Sequence, residues 1–120
     1  VLLATLVRPL EEGERGNPNV VKAVLSLSDD ALYFSRSDIP FRQTGGKEPE
    51  RLAHAGIYAY RPKTLLSLAA LKPSPLELTE KLEQLRAMEN GIPIRCVRAS
   101  YTGFGVDTPE DLARAELISS

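Results

Sequence analysis

One acidic residue, Asp107, closes the run Ser100-Tyr101-Thr102-Gly103-Phe104-Gly105-Val106-Asp107 and directly precedes Thr108-Pro109-Glu110-Asp111. Carboxylates at strand ends beside helix starts hold Mg²⁺ together with substrate phosphates. The alternative is a helix cap or a turn residue, although Thr108 is the better placed cap and leaves Asp107 freer. A second group lies in residues 52–60, LAHAGIYAY. In a strand, His54, Tyr58 and Tyr60 share one face around Gly56, and a glycine there marks close approach by a ligand or another backbone. A cross-strand aromatic cluster would use the same residues. Nothing local marks His54 as a base, and no Ser or Cys nucleophile signature accompanies it.

Glu83 and Gln84 flank an apolar helical stripe, where a solvated polar face is the alternative. Arg36 ends a strand and is suited to grip a carboxylate or phosphate with both arms of its guanidinium, or to face solvent. Lys22 sits mid-strand on the less apolar face, to touch phosphate or to reach for water. No GxGxxG, P-loop, CxxC pair or HExxH occurs, and Gly45-Gly46-Lys47 is too short to cradle a phosphate.

The elements that must carry these residues follow from periodicity and punctuation. Residues 2–8 predict a strand that stops at Pro9, with a polar loop over 10–18. Residues 19–27 predict a second strand with Val21, Ala23, Leu25 and Leu27 on one face, and Ser28-Asp29-Asp30 a turn. Residues 31–36 predict a third strand, paired with the second as a hairpin. A long loop over 37–51 holds Pro40, Gly45, Gly46 and Pro49. The strand 52–60 follows, then a helix from Pro62 to Leu71. Ser74, Pro75 and Glu77 form a capped start for a helix whose stripe is Leu78, Leu82, Leu85 and Met88, with Glu77–Lys81 as an i,i+4 pair and Asn90-Gly91 as the stop. A strand over 93–99 and a last helix to about Ile118 complete an α/β pattern with a mixed sheet and a β-hairpin excursion.

The chain has 120 residues, 42% of them hydrophobic and 26% charged, which bounds it to one domain or part of one with a single core. Its formal net charge of -1 is spread along the chain, with no basic block for nucleic acid. No apolar run approaches the roughly 18 residues of a membrane span, and no signal peptide is recognisable. The lone Cys96 excludes an internal disulfide and fits a reducing compartment. The start Val1-Leu2-Leu3, without Met and inside an apolar run, leads us to expect a cut through a longer protein.

Six segments then occur in order: Asn17-Pro18-Asn19-Val20-Val21-Lys22, Leu32-Tyr33-Phe34-Ser35-Arg36, His54-Ala55-Gly56-Ile57-Tyr58-Ala59-Tyr60-Arg61, Pro73-Ser74-Pro75-Leu76-Glu77, Leu82-Glu83-Gln84-Leu85-Arg86 and Gly105-Val106-Asp107-Thr108-Pro109-Glu110-Asp111-Leu112. The series resembles the 3-deoxy-manno-octulosonate cytidylyltransferase (CMP-Kdo synthetase) family across nearly the whole chain. The resemblance implies a three-layer mixed sheet of the nucleotide-diphospho-sugar transferase type, here incomplete, with residues 1–120 as the C-terminal part of one domain. It implies a cytoplasmic homodimer in lipopolysaccharide biosynthesis that takes CTP and Kdo, with no nucleic acid or membrane as partner. The anomeric hydroxyl of Kdo would attack the α-phosphate of CTP, diphosphate would leave, and Mg²⁺ would neutralise charge on the phosphates.

Carried over by the resemblance, Asp107 is a Mg²⁺ ligand and catalytic residue, Arg36, His54 and Tyr58 contact the sugar acid, and Glu83 and Gln84 bind its hydroxyls. Phe41 stands where the family often has Trp, and Ala55 replaces a bulkier residue. The family's Arg- and Lys-bearing phosphate loop and its second metal-binding Asp have no counterpart here, so this chain alone is expected not to turn over CTP. Two alternatives remain at this point: a sialic-acid type cytidylyltransferase, and a non-catalytic dimerisation or sugar-binding fragment.

Overall fold

The computed structural model describes residues 2–99; Asp107 and the helix expected after Thr108 lie outside the described residues. Strands β1 (Leu3–Pro9), β2 (Lys22–Leu25), β3 (Ala31–Ser35), β4 (Leu52–Tyr60) and β5 (Arg95–Arg98) form a five-stranded sheet in the order β3-β2-β4-β1-β5. β1 runs parallel to β5 and antiparallel to β4, so the sheet is mixed, as the element order predicts. Helices α1 (Pro62–Ala69), α2 (Pro75–Glu80) and α3 (Gln84–Glu89) follow β4.

β1 reads LATLVRP because both its faces are covered: Leu3 through Val7 are all buried. Leu3 and Val7 enter the larger core with Phe34, Leu52, Leu82, Leu85, Ile94 and Cys96. Ala4 and Leu6 point the other way, into a smaller cluster with Ala59 and Val97. The sheet curls on itself. The hairpin turn bonds back to the outer edge of β5, with Ala31 N donating to Ile94 O and Cys96 N to Asp29 O, both at 2.8 Å. Register shifts in the β2–β3 and β1–β4 pairs bend the strands locally, and the sheet stays open, with β3 and β5 as its edges joined only at this turn.

Three expectations need correction. The second strand ends at Leu25, and Leu27 is fully exposed beyond it, because Ser26–Asp30 form the turn and Asp29 takes the left-handed conformation at φ 66°. Lys22 neither touches phosphate nor reaches water. It is wholly buried, and its Nζ donates to Asn17 O at 2.7 Å and Arg36 O at 3.0 Å. Burial lowers its pKa, partly offset by Asp38 and Glu14.

The third correction concerns the helix predicted to run continuously from Ser74 to Asn90. It is broken at Lys81, which adopts φ 58°, ψ 49°. The break redirects the stripe: Leu82 and Leu85 are buried, whereas Leu78 is 63% exposed. Glu77 consequently pairs with Arg86 rather than Lys81, and its other bond caps α2 through Ser74 N. The stop at Asn90-Gly91 forms as expected, with Gly91 at φ 76° donating to Met88 O.

Candidate functional site

β4 faces its residues as the alternation predicts, with one elaboration. Thr5 lies opposite Tyr58 and Val7 opposite His54, so Ala55, Gly56 and Ile57 together oppose Leu6. Gly56 makes this bulge at φ 77°, a value that L side chains rarely adopt. The two extra residues are an even number, so His54 and Tyr58 remain on the same face. Their ring centroids stand 5.4 Å apart, and Phe34 of β3 closes on the other side of His54 at 4.8 Å.

The bulge also fixes the proton on His54. It turns Ile57 O toward Thr5, whose hydroxyl donates to it at 2.7 Å. A hydroxyl has one proton, so the 2.8 Å contact between Thr5 Oγ1 and His54 Nε2 must be donated by the imidazole. His54 is therefore the Nε2–H tautomer, and its Nδ1 lone pair faces the Gln84 amide nitrogen at 3.5 Å. Burial lowers its pKa to about 4, so the ring is neutral at pH 7 and accepts at Nδ1. Burial likewise raises the Tyr58 phenol, which stays protonated.

Tyr58, Tyr60, Glu83, Gln84 and Arg86 border a cleft of about 240 Å³ between β4, α1 and α3. Its floor is apolar: Leu3, Leu65, Leu68, Ala69 and Ala87. An apolar floor with hydroxyl, carboxylate, amide and guanidinium groups along one side suits a ring with C–H faces and many hydroxyls, and His54 stands behind this lining against Gln84 and Tyr58. Thus four of the expected residues, His54, Tyr58, Glu83 and Gln84, come together although they lie far apart in the sequence, on β4 and at the start of α3.

Arg36 does not line this cleft. Its Nε donates to Glu80 O at 2.9 Å, one terminal nitrogen to Pro18 O at 2.9 Å and the other to Lys81 O at 3.2 Å. A guanidinium carries five N–H groups, so one N–H remains on each terminal nitrogen for any carboxylate. Asp107 lies outside the described residues. Among the described residues no group of three His, Cys, Asp or Glu side chains fits a metal ion, so they do not by themselves make a Mg²⁺ site. Cys96 is buried, and burial pushes its thiol up to about 12, which leaves it without nucleophilic character.

A profile described as Cytidylyltransferase matches residues 2–96. This chain belongs to the cytidylyltransferase family. It is 53% identical over 118 residues to a Myxococcus xanthus (strain DK1622) protein named 3-deoxy-manno-octulosonate cytidylyltransferase, covering 98% of this chain and 48% of that protein. A protein of the same name from Anaeromyxobacter dehalogenans (strain 2CP-C) is 53% identical over 116 residues, covering 97% of this chain and 48% of the relative. A solved structure described as CMP:2-keto-3-deoxy-manno-octonic acid synthetase complexed with CTP superposes with a TM-score of 0.79 at 42% identity, covering 98% of this chain and 48% of that one. The chain spans about half the length of the relatives it matches.

Sequence reasoning missed two polar residues beside this cleft. Thr5 orients His54, and the only signal for it is a hydroxyl in the middle of an apolar strand. Glu80 is the other. Its carboxylate accepts from Ser35 Oγ at 2.7 Å, Arg36 N at 3.1 Å and Tyr33 Oη at 3.2 Å. Burial alone would raise the Glu80 pKa, but the bonds from Ser35, Arg36 and Tyr33 outweigh it and the net shift is downward.

Proposed function

We propose that this chain forms the sugar-acid half of an enzyme that couples Kdo to CTP, giving CMP-Kdo and diphosphate. The observation that carries the reading is the convergence of Tyr58, Glu83 and Gln84 on one apolar-floored cleft, with His54 behind them against Gln84 and Tyr58. Membership of the cytidylyltransferase family and relatives named for this reaction support it. In this reading Glu83 accepts from sugar hydroxyls, Gln84 both donates and accepts, and neutral His54 accepts from Gln84 at Nδ1 and so orients that amide. The sugar's C–H face covers Leu65, Leu68 and Ala69 and excludes water from those bonds.

Arg36, outside the cleft, keeps two N–H groups for a carboxylate that reaches the α2–α3 break. Asp107 would supply a carboxylate to Mg²⁺, as the family resemblance implies. When bound, Mg²⁺ supplies charge neutralisation at the phosphates. The reading also carries a homodimer, supported by the exposure of Leu27, Leu32 and Phe41 on the hairpin and following loop. It places the enzyme in the cytoplasm, in lipopolysaccharide biosynthesis. No described helix is long and apolar enough to cross a membrane.

Titration calorimetry of the full chain with Kdo, with and without Mg²⁺, tests the reading. Saturable Kdo binding that Gln84→Ala weakens about tenfold is expected, in line with the loss of hydrogen bonds to a buried polar ligand. Absence of Kdo binding by the folded chain would overturn it. Binding and self-association with no contribution to turnover, once the N-terminal half of a relative is supplied, would favour a non-catalytic sugar-binding role.

A further inference from the structure

The helix wall of the cleft hangs on a short span of chain. Glu83 caps α3 and Gln84 begins it, with only Lys81 and Leu82 between that cap and the end of α2 at Glu80. Between them Lys81 holds the left-handed conformation, which an isolated lysine disfavours. A residue persists in that region only where its surroundings impose it. The surroundings here are specific. The Glu80 carboxylate collects the Ser35 hydroxyl, the Tyr33 hydroxyl and the Arg36 N–H from β3. In return, the Arg36 guanidinium donates to the carbonyls of Glu80 and Lys81, the two residues at the break. Side chain and backbone of the break are thereby bonded to one strand, and that strand also carries Phe34, which packs on His54.

We propose that Glu80 is a positioning residue for the sugar-acid site, docking the α2–α3 break onto β3 so that Glu83 and Gln84 stand over His54 and Tyr58. The proposal rests on the reading of the cleft given above. It assigns Glu80 no contact with substrate. A glutamine keeps one acceptor oxygen and gives up the second, so it retains part of the dock, whereas alanine retains none.

The test uses the full chain, in which His54 is the single histidine and gives unambiguous imidazole signals. Glu80→Ala, Glu80→Gln and Ser35→Ala are compared with the unaltered chain at pH 7, by imidazole ¹⁵N NMR and by calorimetry with Kdo. Loss of the Gln84 contact at Nδ1 is expected to move that nitrogen's signal in Glu80→Ala and to weaken Kdo binding at least tenfold, with smaller changes of the same sign in Glu80→Gln and Ser35→Ala. Unchanged imidazole signals and unchanged affinity in folded Glu80→Ala would overturn the proposal. Should Glu80→Ala not fold, the two milder variants decide it by the same criteria: graded losses support it and two unchanged proteins sink it. An unaltered chain that does not bind Kdo would remove the sugar-acid reading, while the His54 signal would still report whether Glu80 sets the geometry of the two walls.

Discussion

The two walls of the cleft are built by different means. The sheet wall, with Tyr58 lining the cleft and His54 behind it, belongs to β4, which pairs with β1 along its length and with β2 at its start, so backbone ladders on central strands place its side chains. The helix wall, with Glu83 and Gln84, consists of two six-residue helices and a left-handed joint, placed by Leu82 and Leu85 in the core and by the Glu80–Arg36 dock. Such short helices are not stable by themselves and depend on tertiary contacts. The difference teaches that the sheet wall should answer to backbone changes and to pH, and the helix wall to the loss of single anchors.

The largest effect is expected at Leu85, which is fully buried where α3 meets the sheet. Leu85→Ala should lower the unfolding free energy by about 2–5 kcal/mol in denaturant titration. A small loss would mean that the helix wall is not anchored through the core.

The sheet wall makes a pH-dependent contribution through His54. Its pKa falls from 6.5 in the unfolded chain to about 4 in the fold because of burial. Above pH 6.5 the ring is neutral in both states and its burial is fully tolerated. As pH falls from 6.5 toward 4, the unfolded chain takes up a proton that the folded site refuses, so stability declines across that window and levels out below it. At about 1.4 kcal/mol per pKa unit the decline is about 3 kcal/mol. The carboxylates with lowered pKa values, Glu14, Asp38, Glu77, Glu80 and Glu89, begin to lose their contributions as pH falls through the ordinary carboxylate range, so the His54 slope stands apart only above about pH 5. Stability curves of the unaltered chain and of His54→Gln between pH 7 and about 5 check this: the variant should lose most of the slope there.

At Gly56 a side chain has space but not the right backbone, since a Cβ there meets nothing within 4 Å and φ is 77°. Gly56→Ala should therefore cost about 1–2 kcal/mol by denaturant midpoint, from conformation rather than from crowding. The smallest effect belongs to Leu78, predicted from its spacing to join the stripe of Leu82 and Leu85 but 63% exposed. Leu78→Gln should change stability by no more than about 0.5 kcal/mol. A large loss there would restore the continuous helix and remove the joint on which the contrast between the walls depends.

What was legible in the sequence divides along the same line. The facing of β4 was readable because its alternation survives an even-numbered bulge, and the hairpin and the start of α2 were readable because Ser28-Asp29-Asp30 and Ser74-Pro75 are local signals. The break at Lys81 was not, since lysine carries no propensity for a left-handed residue and the contacts that impose it come from β3, 45 positions away for Ser35. The same holds for Lys22, whose carbonyl partners arrive from Asn17 and Arg36. Arg36 was read as a ligand grip from its type and place at a strand end. The structure shows three of its donors already engaged with backbone, a use that only the assembled fold reveals.

The most direct measurement follows the imidazole ¹⁵N signals of His54 while Kdo is titrated into the chain at pH 7. Saturable movement of the Nδ1 signal, absent with a neutral hexose at the same concentrations, is the expected result. A His54 signal that stays fixed while Kdo saturates the chain would place the sugar acid elsewhere and contradict the site described.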